Sequence, residues 1–413
     1  MTAEAHITQP TRPIRPAVRQ HSPSRARWLS VLVFLTLATA PFENYLQQLS
    51  PNGLSKLPPA LLLVAWLVHL LRGRRFPRMH TISWLATALL VAVLASSAIN
   101  VDNTLVPTYV ARWVPFLVLL VLLIDVLAVV VDLRVAVAAI ATGALVSAGG
   151  ALYSFYFLEE NRATGPLEDP NDLAYVLVAA LPFVALATFR RPGPWPQVAR
   201  MLCLVLLLTA TAATLSRGAA VALAVALAWA IGHRLISLTA MTVGALALMS
   251  SSVLAWVLAG PAIQTALAQK SFVAQSNIDS REVRWAAAAH LLAEHPFLGT
   301  GPGGAREYYV EISNNAELVE RSAVTHNMYL EVGAELGVVG LSIFVALIVV
   351  ALVSTAATQQ PESRRLALAT QGSLLTILVM SAFLSQEYYL ALWSTIAVAA
   401  ALQIRSRDVA VSR

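Results

Sequence analysis

Residues 71–99 read LRGRRFPRMHTISWLATALLVAVLASSAI. Arg72, Arg74, Arg75 and Arg78 lead into an uncharged apolar run, Thr81–Ile99, long enough to cross a bilayer core. A basic loop against such a run marks a membrane helix whose basic end stays on the cytoplasmic side. The unit recurs along the chain. Apolar spans occupy Trp28–Ala40, Leu57–Leu71, Thr81–Ile99, Trp113–Val131, Val135–Leu158 and Leu173–Phe189. Six more occupy Val198–Leu215, Gly218–Ile231, Leu235–Leu258, Met328–Val353, Leu366–Leu384 and Tyr388–Ile404. The expectation is an all-α, polytopic integral membrane protein of about 12 transmembrane helices.

Composition agrees. Of 413 residues, 58% are hydrophobic and 12% charged, with a mean hydropathy of +0.69. Soluble domains carry roughly twice that charge. The net charge of +6 is read as topology signals rather than as a nucleic-acid surface. The single cysteine, Cys203, excludes an intrachain disulfide and any CxxC motif.

With the N-terminus inside, the inner segments hold 19 basic residues and the outer ones 9. Every short inner loop is then basic, and both termini are cytoplasmic. The resulting plan is a basic tail (1–27), nine helices (28–258), one long outer loop (259–325), three helices (326–404) and a second tail (405–413). Ala38-Thr39-Ala40 imitates a signal-peptidase site. The long basic leader and the consistent topology favour a retained first helix, which Pro41 would break. No internal repeat is visible, and the long outer loop is the natural place for chemistry.

The outer side collects Arg112, Arg162, the turn Glu168-Asp169-Pro170-Asn171-Asp172, Ser216-Arg217-Gly218, Arg281, Arg284 and His326. Membrane-edge arginines are costly unless paired or facing water. Guanidinium is also the preferred bidentate partner of phosphate, so several converging arginines suit a diphosphate. Arg217 reads equally as an anion site at a helix N-terminus and as an interfacial arginine snorkelling to headgroups. Asp279 to His290 reads as an amphipathic helix with Arg281 and Arg284 on one face; a merely solvated face is the plain alternative. The glycine-rich run after it lacks the Lys-Ser/Thr of a phosphate loop and reads as a tight turn for close helix packing. His326 is the best proton acceptor, although a lone histidine more often only hydrogen-bonds at a helix start. Asn327 is a cap for the helix after it. Glu331 and Glu335 are alternative bases or simply polar groups on a water-facing side. The Asp169–Asp172 turn is read as a helix cap rather than a metal site.

Four segments resemble one family. His326-Asn327, nine residues, then Gly337-Val338-Val339-Gly340 is similar to the outer-loop signature of the O-antigen ligase family, part of the larger Wzy O-antigen polymerase superfamily. Ser216-Arg217-Gly218, Arg281-x-x-x-Trp285 with HPFLGTGPGG (295–304), and GPLEDPNDLA (165–174) resemble its other elements. The resemblance implies a metal-independent, inverting glycosyltransferase with no cofactor. Its donor would be a glycan on undecaprenyl diphosphate, and its acceptor lipid A core or another glycan. It is a bacterial inner-membrane family of lipopolysaccharide and exopolysaccharide synthesis. Arg217 and Arg281 match the family's essential arginines and would hold the diphosphate; His326 matches its histidine. Arg284, Arg112, Arg162, Asn327 and Glu331 are further substrate-binding candidates. Arg281-x-x-x-Trp285 departs from the Arg-x-x-x-Leu form frequent in ligases, so a repeat-unit polymerase is the alternative. A secondary transporter is the reading from another class. It would show two related halves and midplane charges, whereas here only Asp125 and Glu387 approach helix interiors.

Overall fold

The computed structural model describes residues 23–43, 45–46, 53–158, 162–188, 193–236, 280–317, 323–357 and 361–411. These residues form helices and connecting turns, with no strand among them. The helices are α1 (Pro23–Thr39), α2 (Leu57–Gly73), α3 (Thr81–Ile99), α4 (Val106–Val129), α5 (Leu133–Phe157) and α6 (Pro170–Phe183). They continue as α7 (Pro194–Ala213), α8 (Arg217–Gly232), α9 (280–294), α10 (Met328–Ala356), α11 (Pro361–Ser381) and α12 (Leu390–Val411).

Among the described residues seven helices are long and apolar enough to cross a membrane: α2 to α7 and α10. The protein is an integral membrane protein. Eleven expected spans fall on helices, but the count of about 12 is not reached by this measure. α1 and α8 are short. α11 and α12 carry polar residues through their apolar stretches. Those residues join helices: Ser373 Oγ donates to Ala179 O at 2.7 Å, and Gln403 Oε1 lies 2.6 Å from His80 Nε2 and 3.1 Å from Ser354 Oγ. Such bonds hold helices together where lipid provides no hydrophobic drive. The ninth expected span, Leu235–Leu258, lies outside the described residues after Ile236.

Several boundaries move. α4 begins at Val106, with Pro107 preorganising its first turn, so Arg112 lies within a helix rather than in a loop. α1 does end where Pro41 enters a 3-10 turn. α7 and α8 are separate helices, divided by Leu215 at φ 52°. The amphipathic helix reaches residue 294, and Asp279 lies outside the described residues.

α6 is the buried centre, against α5, α7, α8 and α11. Its Pro182 cannot donate to the carbonyl of Val178. Thr376 Oγ1 of α11 donates to that carbonyl at 3.3 Å, so no group is stranded in the core. Beside α4 and α12, Trp113 meets Tyr388, Trp393 and Phe344 edge-on at 5.4, 6.2 and 6.4 Å.

α10 is broken in the middle. Gly337 has φ 65° and ψ −171°, outside the helical region. The segment 296–301 docks into the break. Val338 N donates to Pro296 O at 2.7 Å, Thr300 N to Ala334 O at 2.9 Å and Gly301 N to Glu335 O at 3.0 Å. A Cβ on Gly337 would stand 2.3 Å from the Phe297 carbonyl, and one on Gly299 2.4 Å from the Glu335 oxygen. The glycine-rich run is therefore a packing turn, as its missing Lys-Ser/Thr implies. It ties the segment 296–301 closely to α10.

Candidate active site

Three helix ends meet where α6, α7 and α8 reach the same side. Ser216 caps α8, accepting from Ala219 N at 3.4 Å, and Arg217 is the first residue of that helix. Asp169 caps α6 through Asn171 N (2.6 Å) and Asp172 N (3.3 Å). Arg162 clasps the two: Nε donates to Thr214 O at 2.9 Å and an Nη to Asn171 Oδ1 at 3.2 Å. Ala163 N adds a bond to Ala213 O at 3.0 Å. Arg162 is thus bonded to the protein itself, whereas Arg217 is exposed at a helix N-terminus. Among the described residues the Arg217 guanidinium makes no hydrogen bond or ion pair.

α9 brings two more arginines. Arg284 grips Glu317 with two bonds of 2.9 Å and reaches Val324 O at 3.4 Å. Tyr309 also donates to Glu317. The Arg284 bonds hold the Glu317 carboxyl below the usual carboxylate range. Arg284 therefore fastens the segment that leads to His326. Arg281 is half-buried and makes no ion pair among the described residues. Burial lowers its proton affinity, Asp169 opposes this, and Arg284, Arg162 and Arg217 lower it further. These influences place Arg281 within electrostatic reach of the α8 arginine and of the cap of α6.

His326 sits at φ 53°, immediately before α10. Asn327 caps that helix, accepting from Tyr329 N and Leu330 N at 3.1 Å each. Burial, then Arg281 and Arg284, drive the pKa of His326 down to about 4, with Asp169 opposing and Arg306 contributing. The ring is neutral at physiological pH and can accept a proton.

A carboxylate group lies along α10. Glu331, Glu335 and Glu387 are fully buried. Arg306 pairs with Glu331 (3.2 Å), which also accepts from Ser385. Glu335 and Glu387 make no ion pair among the described residues. The α11–α12 connection closes this region. Met328 N donates to Leu384 O at 3.0 Å, and Asp172 accepts from Gln386 Nε2 at 2.7 Å and from Tyr389. Arg112 belongs to this side, 4.7 Å from the Tyr109 ring centre and 5.8 Å from that of Tyr388.

The structure thus brings together Arg217, Arg281, Arg284, Arg162, Asp169 and His326 from segments far apart in sequence. Glu331 lies one turn after Asn327 and pairs with Arg306, and Arg306 and Arg112 both lie over the Tyr109 ring, at 5.4 and 4.7 Å. Asn327 is a cap whose side-chain oxygen serves the backbone. Sequence reasoning missed Arg306 and the 382–389 connection. Their signal was a polar insertion, Ser385-Gln386-Glu387, between two apolar runs. The Asp169–Asp172 turn has its oxygens committed to caps and to Gln386 and Tyr389, as a helix start requires.

Comparison with known families finds one match. The family described as O-antigen ligase (Wzy_C) matches residues 202–345, about a third of the chain. The match runs from within α7 to within α10, and so holds Arg217, Arg281, Arg284, His326, Asn327 and Glu331. Arg112, Arg162 and the 382–389 connection lie outside it. No curated protein matches the chain.

Proposed function

We propose that the chain transfers a glycan from undecaprenyl diphosphate to an acceptor hydroxyl on the outer face of the bacterial inner membrane; the match of residues 202–345 to the O-antigen ligase family supports the reading. The observation that carries the reading is the pairing of two uncommitted arginines, Arg217 and Arg281, with a neutral histidine. Arg217 and Arg281 hold the diphosphate and stabilise the charge that grows as the anomeric C–O bond breaks. The leaving diphosphate keeps that electron pair. The acceptor oxygen attacks the anomeric carbon from the opposite side, so configuration inverts, and its proton passes to His326. Arg284 and Arg162 support this site by holding its segments. Arg112, Asn327 and Glu331 line or order the acceptor side. In this reading no metal or cofactor takes part. The chain spans the membrane about 12 times with both ends cytoplasmic, and the outer loop is 259–325.

Lipid A core as acceptor makes the protein a ligase. Arg281-x-x-x-Trp285 favours a second reading, in which a lipid-linked repeat is the acceptor and the protein a polymerase. The test is the glycan profile of a deletion strain complemented with wild type, Arg217→Ala or His326→Ala. A ligase defect leaves full-length lipid-linked polymer unattached. A polymerase defect leaves single repeat units. Identical profiles in all three strains would refute the transferase reading and return a secondary transporter to consideration.

A further inference from the structure

At the opposite end of the bundle lies a cavity of about 480 Å³ between the start of α5, the start of α11 and the end of α12. α10 begins at the His326 site and α11 returns toward it, so this cavity is on the other face of the membrane. Its rim is charged and exposed: Arg134, Arg365 and Asp132. Its floor is apolar and buried: Val137, Leu366 and Leu402. The third arginine, Arg405, is spent on the fold, donating to Leu127 O (2.8 Å) and Val131 O (2.6 Å) at the end of α4. Asp132 accepts from Arg134 N at 2.9 Å and so caps α5. Among the described residues the guanidinium groups of Arg134 and Arg365 make no ion pair. Topology alone accounts for basic residues on this face, but not for a cavity that sets two of them over an apolar floor.

We propose that this cavity binds the phosphate-bearing headgroup of an anionic inner-leaflet lipid. Arg134 and Arg365 contact the phosphate, Ser363 donates to it, and the first acyl carbons rest on the floor. Arginine suits a phosphodiester through its paired N–H donors, and basic pockets between membrane helices on the cytoplasmic side hold such headgroups. The volume is of the order that encloses a small ligand. The site is distinct from the outer donor site and does not depend on the proposed transfer reaction.

The full chain in detergent is titrated with dioctanoyl phosphatidylglycerol, dioctanoyl phosphatidylcholine and glycerol phosphate, with binding read by native mass spectrometry. The expected result is that phosphatidylglycerol binds at least tenfold tighter than either of the others. Arg134→Ala with Arg365→Ala weakens it by about thirtyfold, two basic contacts' worth. Arg217→Ala, at the far end, leaves this binding unchanged. Equal binding of the zwitterionic lipid, or unchanged binding in the double variant, overturns the proposal. If glycerol phosphate competes as well as the lipid, the ligand is a soluble phosphate and the lipid assignment fails. Arg365→Glu reverses the charge at the same contact, and retention of lipid there also overturns the proposal.

Discussion

The two ends of the bundle use arginine in opposite ways. At the end away from His326, Arg75 forms two 2.8 Å bonds to the buried Asp125, which also accepts from Trp66 Nε1 and Arg78 N at 2.7 Å. Arg78 pairs with Asp408 at 2.6 Å. These charges are satisfied within the protein and pin α2, α4 and α12 together. At the His326 end Arg217 and Arg281 gather near each other and near His326, with no carboxylate pair among the described residues. Like charges held close raise the energy of the unliganded protein and lower the cost of admitting an anion. A paired arginine serves the fold; an unpaired one, kept so by its neighbours, is available to a ligand.

The contrast is broken most directly by substitution at each end. Arg217→Ala or Arg281→Ala is expected to cut transfer in reconstituted vesicles by about a hundredfold or more, with the melting temperature in detergent unchanged. A large loss of melting temperature would make these arginines structural like Arg75 and Arg78. Asp125→Ala is expected to do the reverse. It leaves Arg75 without its partner and lowers stability by about 3 kcal/mol, toward the low end because Arg75 is partly exposed. Transfer per folded molecule stays the same.

The histidine sharpens the comparison through pH. Its pKa, pushed down to about 4 by burial and the nearby arginines, keeps the proton-accepting form dominant across the neutral range. Transfer is therefore expected to hold as pH falls, and to decline only near pH 4. Arg284→Gln removes one repelling cation, so the acid limb moves to higher pH. A limb that stays in place would show that Arg284 does not act on His326. The smallest effect belongs to the Arg284–Glu317 pair. A double-mutant cycle with Arg284→Gln and Glu317→Gln is expected to give a coupling of about 1 kcal/mol in stability. A coupling near zero would remove its fastening role.

The helices were legible because membrane length and charge asymmetry act locally. Thr81–Ile99 is a span by its own composition, and the helix observed there has the same bounds. Arg217, Arg281 and His326 stood out because each interrupts or borders an apolar run. What each arginine touches was not legible. Arg284 and Arg281 are three residues apart on one helix, yet Glu317 engages the first, and no ion pair forms at the second among the described residues. Nothing near either residue in sequence announces that difference. The break at Gly337 was hidden as well. Glycine is tolerated in membrane helices, and only the docking of 296–301 makes the non-helical turn favourable.

From sequence alone, then, come the membrane placement, the helical class and the segments that carry polar chemistry. Hydropathy and charge are properties of short windows, and the bilayer acts on each window separately. Which arginines are neutralised, how Glu331, Glu335 and Glu387 come to be buried together, and how the 382–389 connection reaches Asp172 were decided by tertiary structure. Pairing energies depend on distances between residues as much as 330 positions apart, as for Arg78 and Asp408. Those distances exist only once the helices have packed.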